Sequence, residues 1–277
     1  VRNTSTRVMV LAALLALTPG TLRCQTIPAA DSLPIIDAHT HTDFGGGTER
    51  TSGIPMTREE YFREWHEAGV VGAVALTHEG EADYVDLSEE NVVCCAGVKN
   101  TLDSVRLEEN LHSKKYRCIK IYLGYAHRYA YDAFFEPAYR LAEAYQVPVV
   151  FHTGDTYSTT ALLKYADPLT IDEVAVAHPR VTFVLAHCGN PWIESAAEVA
   201  YKNPNVYLDG SAFLIGDVGA MPPETVEKYL VHPLSWIHGY VGDSTKLMFG
   251  TDWPLTDMKS YFAAFKRAIP RKDWMAV

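Results

Sequence analysis

The sequence carries little cationic charge, and this shortage limits the partners that the protein can bind. Its 277 residues include 24 Lys and Arg against 34 Asp and Glu, which gives a formal net charge of -10. Nucleic acids and anionic lipid surfaces are bound through basic patches. The composition therefore argues against both classes of partner.

Long hydrophobic runs are also missing. The apolar run Val8–Leu17 is too short to cross a bilayer, which takes about 20 residues, but it follows Arg2 and Arg7, as in a secretory signal. We therefore predict that residues 1–30 form a signal peptide or a disordered N-terminal segment, and that the protein is exported to a periplasm or secreted. The alternative is a cytoplasmic protein whose start has been mis-assigned.

Cysteine is scarce as well. The five cysteines form no C-x-x-C pair, and their spacing gives no disulfide framework. We expect Cys94, Cys95, Cys118 and Cys188 to be small buried hydrophobic residues.

A glycine-rich phosphate loop is absent, because Gly45-Gly46-Gly47 does not fit the Gly-x-Gly-x-x-Gly pattern of a doubly wound dinucleotide-binding sheet. What recurs instead is a short, almost continuously apolar run, which suits a strand buried on both faces of a parallel sheet. The predicted strands are Pro34–His39, Val70–Thr77, Asn91–Val98, Arg117–Tyr122, Val147–His152, Val181–His187, Asn205–Asp209 and Lys246–Thr251.

Helical patterns separate many of these strands. The predicted helices are Thr57–Ala68, Tyr131–Gln146, Pro191–Lys202, Pro223–Leu230 and Met258–Ala268. In the first of them, Thr57 and Glu60 have the spacing of a capping box. Strands that alternate with helices predict an α/β fold, and eight of them predict a (β/α)₈ TIM barrel over residues 31–277.

The first predicted strand ends in a run that is rich in possible metal ligands, Asp37-Ala38-His39-Thr40-His41. Because side chains alternate along a strand, we expect Asp37, His39 and His41 to share one face. Neutral imidazole is the commonest protein ligand of metals, so two histidines on one face can converge on one cation.

Three later strands also end in polar residues. His152, His187 and Asp252 each follow an apolar run directly. In a barrel, the carboxyl ends of all strands meet at one mouth, where active sites lie. The sequence therefore predicts that these side chains gather with His39 and His41.

These motifs strongly resemble the amidohydrolase superfamily, and most closely the amidohydrolase-2 group that includes aminocarboxymuconate-semialdehyde decarboxylase. The resemblance rests on Asp37-Ala38-His39-Thr40-His41 and on Gly250-Thr251-Asp252-Trp253-Pro254, in the same order along the chain, and it extends from about Pro34 to the end. Members usually continue beyond the last barrel helix, so we expect the C-terminus of this sequence to be truncated.

The resemblance implies a metal site built from His39, His41, His152 and Asp252, with His187 beside the metal-bound water. A divalent ion, Zn²⁺ above all, would lower the pKa of that water toward about 7. Asp252 would take the water's proton and deliver it to the leaving group, while His187 would stabilise charge on a carbonyl oxygen. We favour one metal per chain, with two as the alternative.

The sequence is compatible with two functional roles for Lys120. It lies on the fourth predicted strand and shares a face with Tyr122. Its ammonium could bind a substrate carboxylate, or a carbamylated Lys120 could bridge two metals, as in some relatives. Tyr122, Arg128 and Trp253 are further candidates for substrate binding.

These residues are compatible with two functions. The first is hydrolysis of an amide, ester or lactone-type bond in a small molecule by metal-activated water. The alternative is non-oxidative decarboxylation or hydration of a small carboxylic acid with the same metal. A homo-oligomer is compatible with either function.

Overall fold

The computed structural model describes residues 33–277, and a parallel sheet forms the centre of this part of the chain. The sheet has eight strands within the described residues, and their order in space is their order in the sequence. The strands are β1 (Ile35–Thr40), β2 (Val70–Leu76), β3 (Val92–Val98), β4 (Cys118–Ile121), β5 (Val149–His152), β6 (Phe183–Ala186), β7 (Val206–Asp209) and β8 (Leu247–Met248). The predicted N-terminal segment, residues 1–30, lies outside the described residues.

The last strand returns to the first and nearly closes a barrel. The Ala38 amide donates to the Phe249 carbonyl (2.9 Å), the Asp252 amide donates to the His39 carbonyl (2.7 Å), and the His41 amide donates to the Trp253 carbonyl (2.8 Å). We call this line of contacts between β1 and the segment Leu247–Trp253 the seam. The predicted (β/α)₈ barrel is thereby confirmed.

Helices cover the outside of the barrel. They are α1 (Arg58–Ala68), α2 (Ser104–His112), α3 (Leu123–Ala126), α4 (Glu136–Tyr145), α5 (Thr170–Ala177), α6 (Ile193–Lys202), α7 (Pro223–Val226), α8 (His232–Val241) and α9 (Met258–Ala268), with a π-helical segment, Glu227–Val231, between α7 and α8. None of the helices between residues 33 and 277 has the length and hydrophobicity needed to cross a membrane.

The helix ends agree in part with the sequence patterns. The Thr57 hydroxyl accepts the Glu60 amide at 3.1 Å, so the predicted cap of α1 is present. The helix predicted to begin at Tyr131 begins only at Glu136, because Asp132 caps a separate short turn over Ala133–Phe135. The sequence patterns missed α2, α3, α5 and α8.

Cys95 and Cys118 correct one expectation. They face each other on adjacent strands, in register, and form a disulfide. Their side chains pack inside the barrel with Leu76, Val150 and Val184. The expectation of free buried thiols is therefore wrong for this pair, whereas Cys94 and Cys188 are free and buried as predicted.

Glu64 places a carboxylate in the interface between α1, α9 and the seam. It is 5% exposed, and it accepts hydrogen bonds from the Met258 amide (2.8 Å) and the Trp253 indole (3.4 Å). Burial raises the pKa of Glu64 from 4.5 to about 7. The folded protein therefore holds this proton more tightly than the unfolded chain does, and the contribution of Glu64 to stability falls as the pH rises through that window.

We predict that Glu64→Gln removes this pH-dependent loss. A Gln amide can accept from only one of the two donors, so the variant should be less stable than the wild type near pH 4.5. Between pH 4.5 and pH 7 the difference should shift in favour of the variant by roughly 3 kcal/mol at most. Urea unfolding at a series of pH values measures the difference. Glu67→Gln, at an exposed position of the same helix, is the control. If the free energies of unfolding of the wild type and Glu64→Gln changed with pH in parallel, the raised pKa of Glu64 would be contradicted.

Candidate metal centre

Three potential metal ligands converge where the seam reaches the barrel mouth. The Oδ1 atom of Asp252 lies 3.1 Å from Nε2 of His41 and 3.3 Å from Nε2 of His39. One donor atom from each of the three residues falls within 4.8 Å of the others. His39 and Asp252 are buried and His41 is partly exposed, so the cluster lies at the edge of the interior.

The other ring nitrogen of each histidine fixes the direction of its Nε2 atom. Nδ1 of His41 lies 2.7 Å from the Leu76 carbonyl, which can only accept, so this nitrogen carries the proton. Nδ1 of His39 is hydrogen-bonded to the buried carboxylate of Asp209. Both Nε2 atoms therefore face Asp252, and the neutral His41 ring presents a lone pair there.

This arrangement brings two imidazole nitrogens and a carboxylate oxygen together. The Oδ1 atom of Asp252 is buried and accepts no well-aligned hydrogen bond from the described residues. An unpaired buried acceptor is costly, and a carboxylate oxygen beside two imidazole nitrogens is a typical ligand set for a divalent transition metal. The residues present therefore fit a cation.

The charges around the cluster also favour a cation. Burial alone would raise the pKa of Asp252, but the neighbouring His39 and His41 hold it well below its usual value, so the carboxylate stays ionised. Burial alone would lower the pKa of His39, but the charges of Asp209 and Asp252 raise it overall. The pocket thus favours positive charge at the position that the Nε2 atoms face.

Glycine is required beside this cluster. A Cβ atom on Gly250 would lie 2.8 Å from Oδ1 of Asp209 and 2.9 Å from Cβ of His39. Real Cβ atoms do not approach other atoms this closely, so a side chain at Gly250 would push His39 and Asp209 apart. The Gly250-Thr251-Asp252 motif therefore has a steric reason as well as a ligand.

Asp37 is buried on β1 like His39, as the strand alternation predicted, but it is not one of the clustered ligands. A register irregularity interrupts the pairing of β1 with β2 between Asp37 and Thr40. The Asp37 carboxylate instead accepts the Thr251 amide (2.9 Å), the Thr251 hydroxyl (2.5 Å) and the His39 amide (3.1 Å). It holds the two sides of the seam together, and burial raises its pKa to about 7.

His152 and His187 lie next to the cluster and contact each other. Nε2 of His187 is 3.3 Å from Nδ1 of His152, and Nδ1 of His187 is 4.0 Å from Oδ2 of Asp252. Nε2 of His152 is 2.8 Å from the Asp155 carbonyl. Burial lowers the pKa of His152 to about 3 and that of His187 well below its usual value, so both rings are neutral. The ligand role of His152 stays a prediction, because neither of its ring nitrogens is among the clustered donor atoms.

Lys120 is a fully buried ammonium on β4. Its Nζ atom lies 5.4 Å from the ring centre of Tyr122 and has no hydrogen-bond partner among the described residues. Burial lowers the pKa of Lys120 to about 8, against the opposing charges of Asp209 and Asp252. Tyr122 donates its hydroxyl proton to the Thr77 carbonyl at 2.9 Å and stacks against His152.

The other two candidates for substrate binding lie in different surroundings. Trp253 is fully buried, and its ring packs against Tyr61 of α1. Arg128 lies 3.6 Å from the carboxylate of Asp132 and stacks over Phe134 at 4.5 Å. These contacts give Trp253 a packing role and tie Arg128 to the segment before α4, so their roles toward substrate remain predictions.

Two polar residues at the end of β7, Asp209 and Ser211, belong to the site but were not predicted from the sequence. Asp209 holds His39, and the Ser211 hydroxyl lies 3.2 Å from Nδ1 of His39 and 3.0 Å from Nδ1 of His187. The signal was available for Asp209, which ends the predicted strand Asn205–Asp209 as a polar residue after an apolar run.

Known structures share this fold. An amidohydrolase from Burkholderia multivorans with bound zinc is 16% identical, with a TM-score of 0.66, over 88% of this chain and 96% of that one. A probable 2-pyrone-4,6-dicarboxylic acid hydrolase from Acinetobacter baumannii is 16% identical, with a TM-score of 0.64, over 88% and 96%. A 5-carboxyvanillate decarboxylase from Sphingomonas paucimobilis is 13% identical, with a TM-score of 0.60, over 89% and 96%.

Among curated proteins, no sequence matches the chain. Residues 36–274 match the family described as Amidohydrolase. This match runs from β1 to the segment after α9, so it includes every residue of the cluster and covers most of the chain. The resemblance predicted from the two motifs is thereby confirmed, and the protein belongs to the amidohydrolase family.

Proposed function

We propose that this protein is a metal-dependent hydrolase that cleaves an amide, ester or lactone-type bond in a small molecule. The observation that carries the proposal is the convergence of His39, His41 and Asp252. The Oδ1 atom of Asp252 has no well-aligned donor in residues 33–277. Family membership supports an enzyme that acts on a small-molecule substrate. When bound, a divalent ion of the zinc type would lower the pKa of a water molecule to about 7.

The chain's own residues would handle the protons of the reaction. Asp252 is ionised and fixed by the seam, so its carboxylate can accept a proton and later release it to a leaving group. His187 lies within 4.0 Å of that carboxylate. Its Nε2 atom now faces His152, so a hydrogen bond from this atom to a substrate oxygen requires His152 to turn away.

We favour zinc and one ion per chain. Imidazole and carboxylate ligands suit Zn²⁺, although the same set also suits other first-row metals. The described residues contain a single group of this kind, and Lys120 is not part of it. The alternative with two ions would need a carbamylated Lys120 as the bridge.

A decarboxylase or hydratase is the second candidate. Two ammonium groups support it, because a substrate carboxylate needs cations to hold it. Lys120 is buried without a hydrogen-bond partner among the described residues. Lys99, which follows β3, lies 5.6 Å from the ring centre of Tyr125, and that ring lies 5.1 Å from the ring of His152. One of the structurally similar proteins is a 5-carboxyvanillate decarboxylase, and another is a probable hydrolase of a dicarboxylic acid.

We also propose that the protein is exported and that residues 31–277 form its barrel domain. The Cys95–Cys118 disulfide supports export, because disulfides persist mainly in oxidising compartments. Expression with residues 1–30 fused to a reporter enzyme tests this proposal, which fails if the fusion stays in the cytoplasm.

Metal content tests the proposed cluster. We expect the purified protein to bind one divalent ion and the double variant His39→Ala/His41→Ala to lose most of it, because two of the three clustered ligands are gone. Elemental analysis measures the loss. The control is His66→Ala/His232→Ala, which removes two exposed histidines. Equal metal in the wild type and in the His39/His41 variant would refute the site.

Asp252 and His187 should separate metal binding from catalysis. Asp252→Asn keeps the side-chain volume, so we expect weakened but detectable metal and a kcat lower by at least about 10²–10⁴-fold. His187→Asn should keep nearly all the metal and lose kcat by a similar factor. Metal content beside kcat, with circular dichroism as the folding control, gives the answer. A metal-free His187→Asn would make this residue a ligand, and a fully active Asp252→Asn would exclude the proposed mechanism.

Lys120→Met should distinguish the two reactions and the two metal counts. It removes the ammonium but keeps an unbranched apolar stem of four heavy atoms. We therefore expect unchanged metal and a KM for carboxylic acid substrates that rises roughly 10–100-fold, while neutral esters are unaffected. A panel of p-nitrophenyl esters, lactones and aromatic carboxylic acids provides the substrates. Lys164→Met, at an exposed lysine, is the control. Two ions in the wild type, with one lost in Lys120→Ala and restored by a short carboxylic acid that fits the space left by the side chain, would instead identify the bridging carbamate.

A further inference from the structure

The end of β7 contacts two histidines with different predicted roles. The Asp209 carboxylate accepts the proton of Nδ1 of His39 through one oxygen and the Ser211 amide, at 2.9 Å, through the other. The Ser211 hydroxyl lies between Nδ1 of His39 (3.2 Å) and Nδ1 of His187 (3.0 Å). Asp209 is 1% exposed and Ser211 is 0% exposed, so water does not compete for these contacts.

The hydrogen bonds leave one consistent placement of the protons. The Asp155 carbonyl can only accept, so Nε2 of His152 carries a proton and Nδ1 of this neutral ring is an acceptor. Nε2 of His187 therefore donates to Nδ1 of His152, and Nδ1 of His187 becomes an acceptor in its turn. Only the Ser211 hydroxyl can donate to it among the described residues, and the serine oxygen is left facing the proton of His39.

We propose that Asp209 and Ser211 are positioning residues that fix the protons of the site, on Nδ1 of His39 and on Nε2 of His187. The inference rests on the proposed function for its catalytic meaning, but the proton positions themselves follow from the contacts. Neither residue touches the reacting atoms, and each acts through the histidine that it contacts.

The two proton positions have separate consequences. With its proton held on Nδ1 by Asp209, His39 keeps a lone pair on Nε2 for a metal ion, beside His41 and Asp252. With its proton on Nε2, His187 is a donor. When His152 turns toward the cluster, as its predicted ligand role requires, this N–H is released and becomes available to a substrate oxygen. Asp209 and Ser211 therefore orient His39 as a metal ligand and His187 as a hydrogen-bond donor.

Ser211→Ala tests the second half of the proposal. Nitrogen-15 NMR of the histidine rings reports which nitrogen carries the proton, with the His187 signals identified by comparison with His187→Asn. In the metal-free wild type we expect the Nε2–H form of His187, and in Ser211→Ala a shift toward the Nδ1–H form, because the donor to Nδ1 is gone. With metal bound, kcat should fall roughly 10–100-fold while metal content and KM stay close to wild type.

Two further variants keep the test independent of folding. Ser211→Thr retains a hydroxyl and should restore the Nε2–H form. Ser244→Ala is the matched control, because the Ser244 hydroxyl also bonds a histidine, Nε2 of His238 at 3.0 Å, before β8. It should change the spectrum of His238 and leave His187 and kcat as in the wild type. An unchanged His187 spectrum in a folded Ser211→Ala would overturn the proposal for Ser211.

Asp209→Asn tests the first half. Both oxygens of Asp209 accept hydrogen bonds, one from Nδ1 of His39 and one from the Ser211 amide. In either orientation, the NH2 group of an asparagine would therefore face one of these two donors. The proton of His39 should then move to Nε2, and the affinity for Zn²⁺, measured by competition with a chelator, should fall roughly 10–100-fold. Unchanged affinity and an unchanged His39 spectrum would overturn this half. If no member of the panel is hydrolysed by the wild type, the proposed function fails, while the ring spectra still decide the proton positions.

Discussion

Closure of the barrel along the seam is the constraint on which the rest of the structure depends. β8 has only two residues, so closure depends on three backbone hydrogen bonds and on Asp37, whose carboxylate takes both the amide and the hydroxyl of Thr251. His39 lies on one side of the seam and Asp252 on the other. The contacts that complete the fold therefore also bring the metal ligands together, and a fault in closure would separate them.

Much of this could be predicted from the sequence, because the signals are local. An apolar run that ends in His39, His152 or Asp252 identifies both a strand and its place at the barrel mouth. What the sequence did not reveal depends on contacts outside a single strand. The disulfide follows from the register that sets Cys95 against Cys118, and the turn of His152 toward the Asp155 carbonyl follows from the loop after β5. Neither relation leaves a pattern in one strand.

Buried charges of opposite sign also lie together at the mouth of the barrel, and the sequence of one strand does not predict this arrangement. Asp209 and Asp252 are anions held below their usual pKa values, while Lys120 is a cation without a hydrogen-bond partner in the described chain. A buried charge is tolerated when opposite charges lie near, so Lys120 is partly compensated by the two carboxylates. Its unused hydrogens remain available to an anionic group, so this buried ammonium is compatible with an acid substrate.

The same balance ties metal binding to the stability of the barrel. His39 and His41 belong to β1 and the residues directly after it, and Asp252 follows β8, so an ion held by all three would join the two sides of the seam. A ligand that binds only the folded state stabilises it by an amount that grows with the ratio of its free concentration to its Kd. It would also satisfy the Oδ1 atom of Asp252, which has no well-aligned donor in the part of the chain that the structure describes. The short β8 strand therefore need not close the barrel through backbone hydrogen bonds alone, since the chemistry of the site can complete the closure.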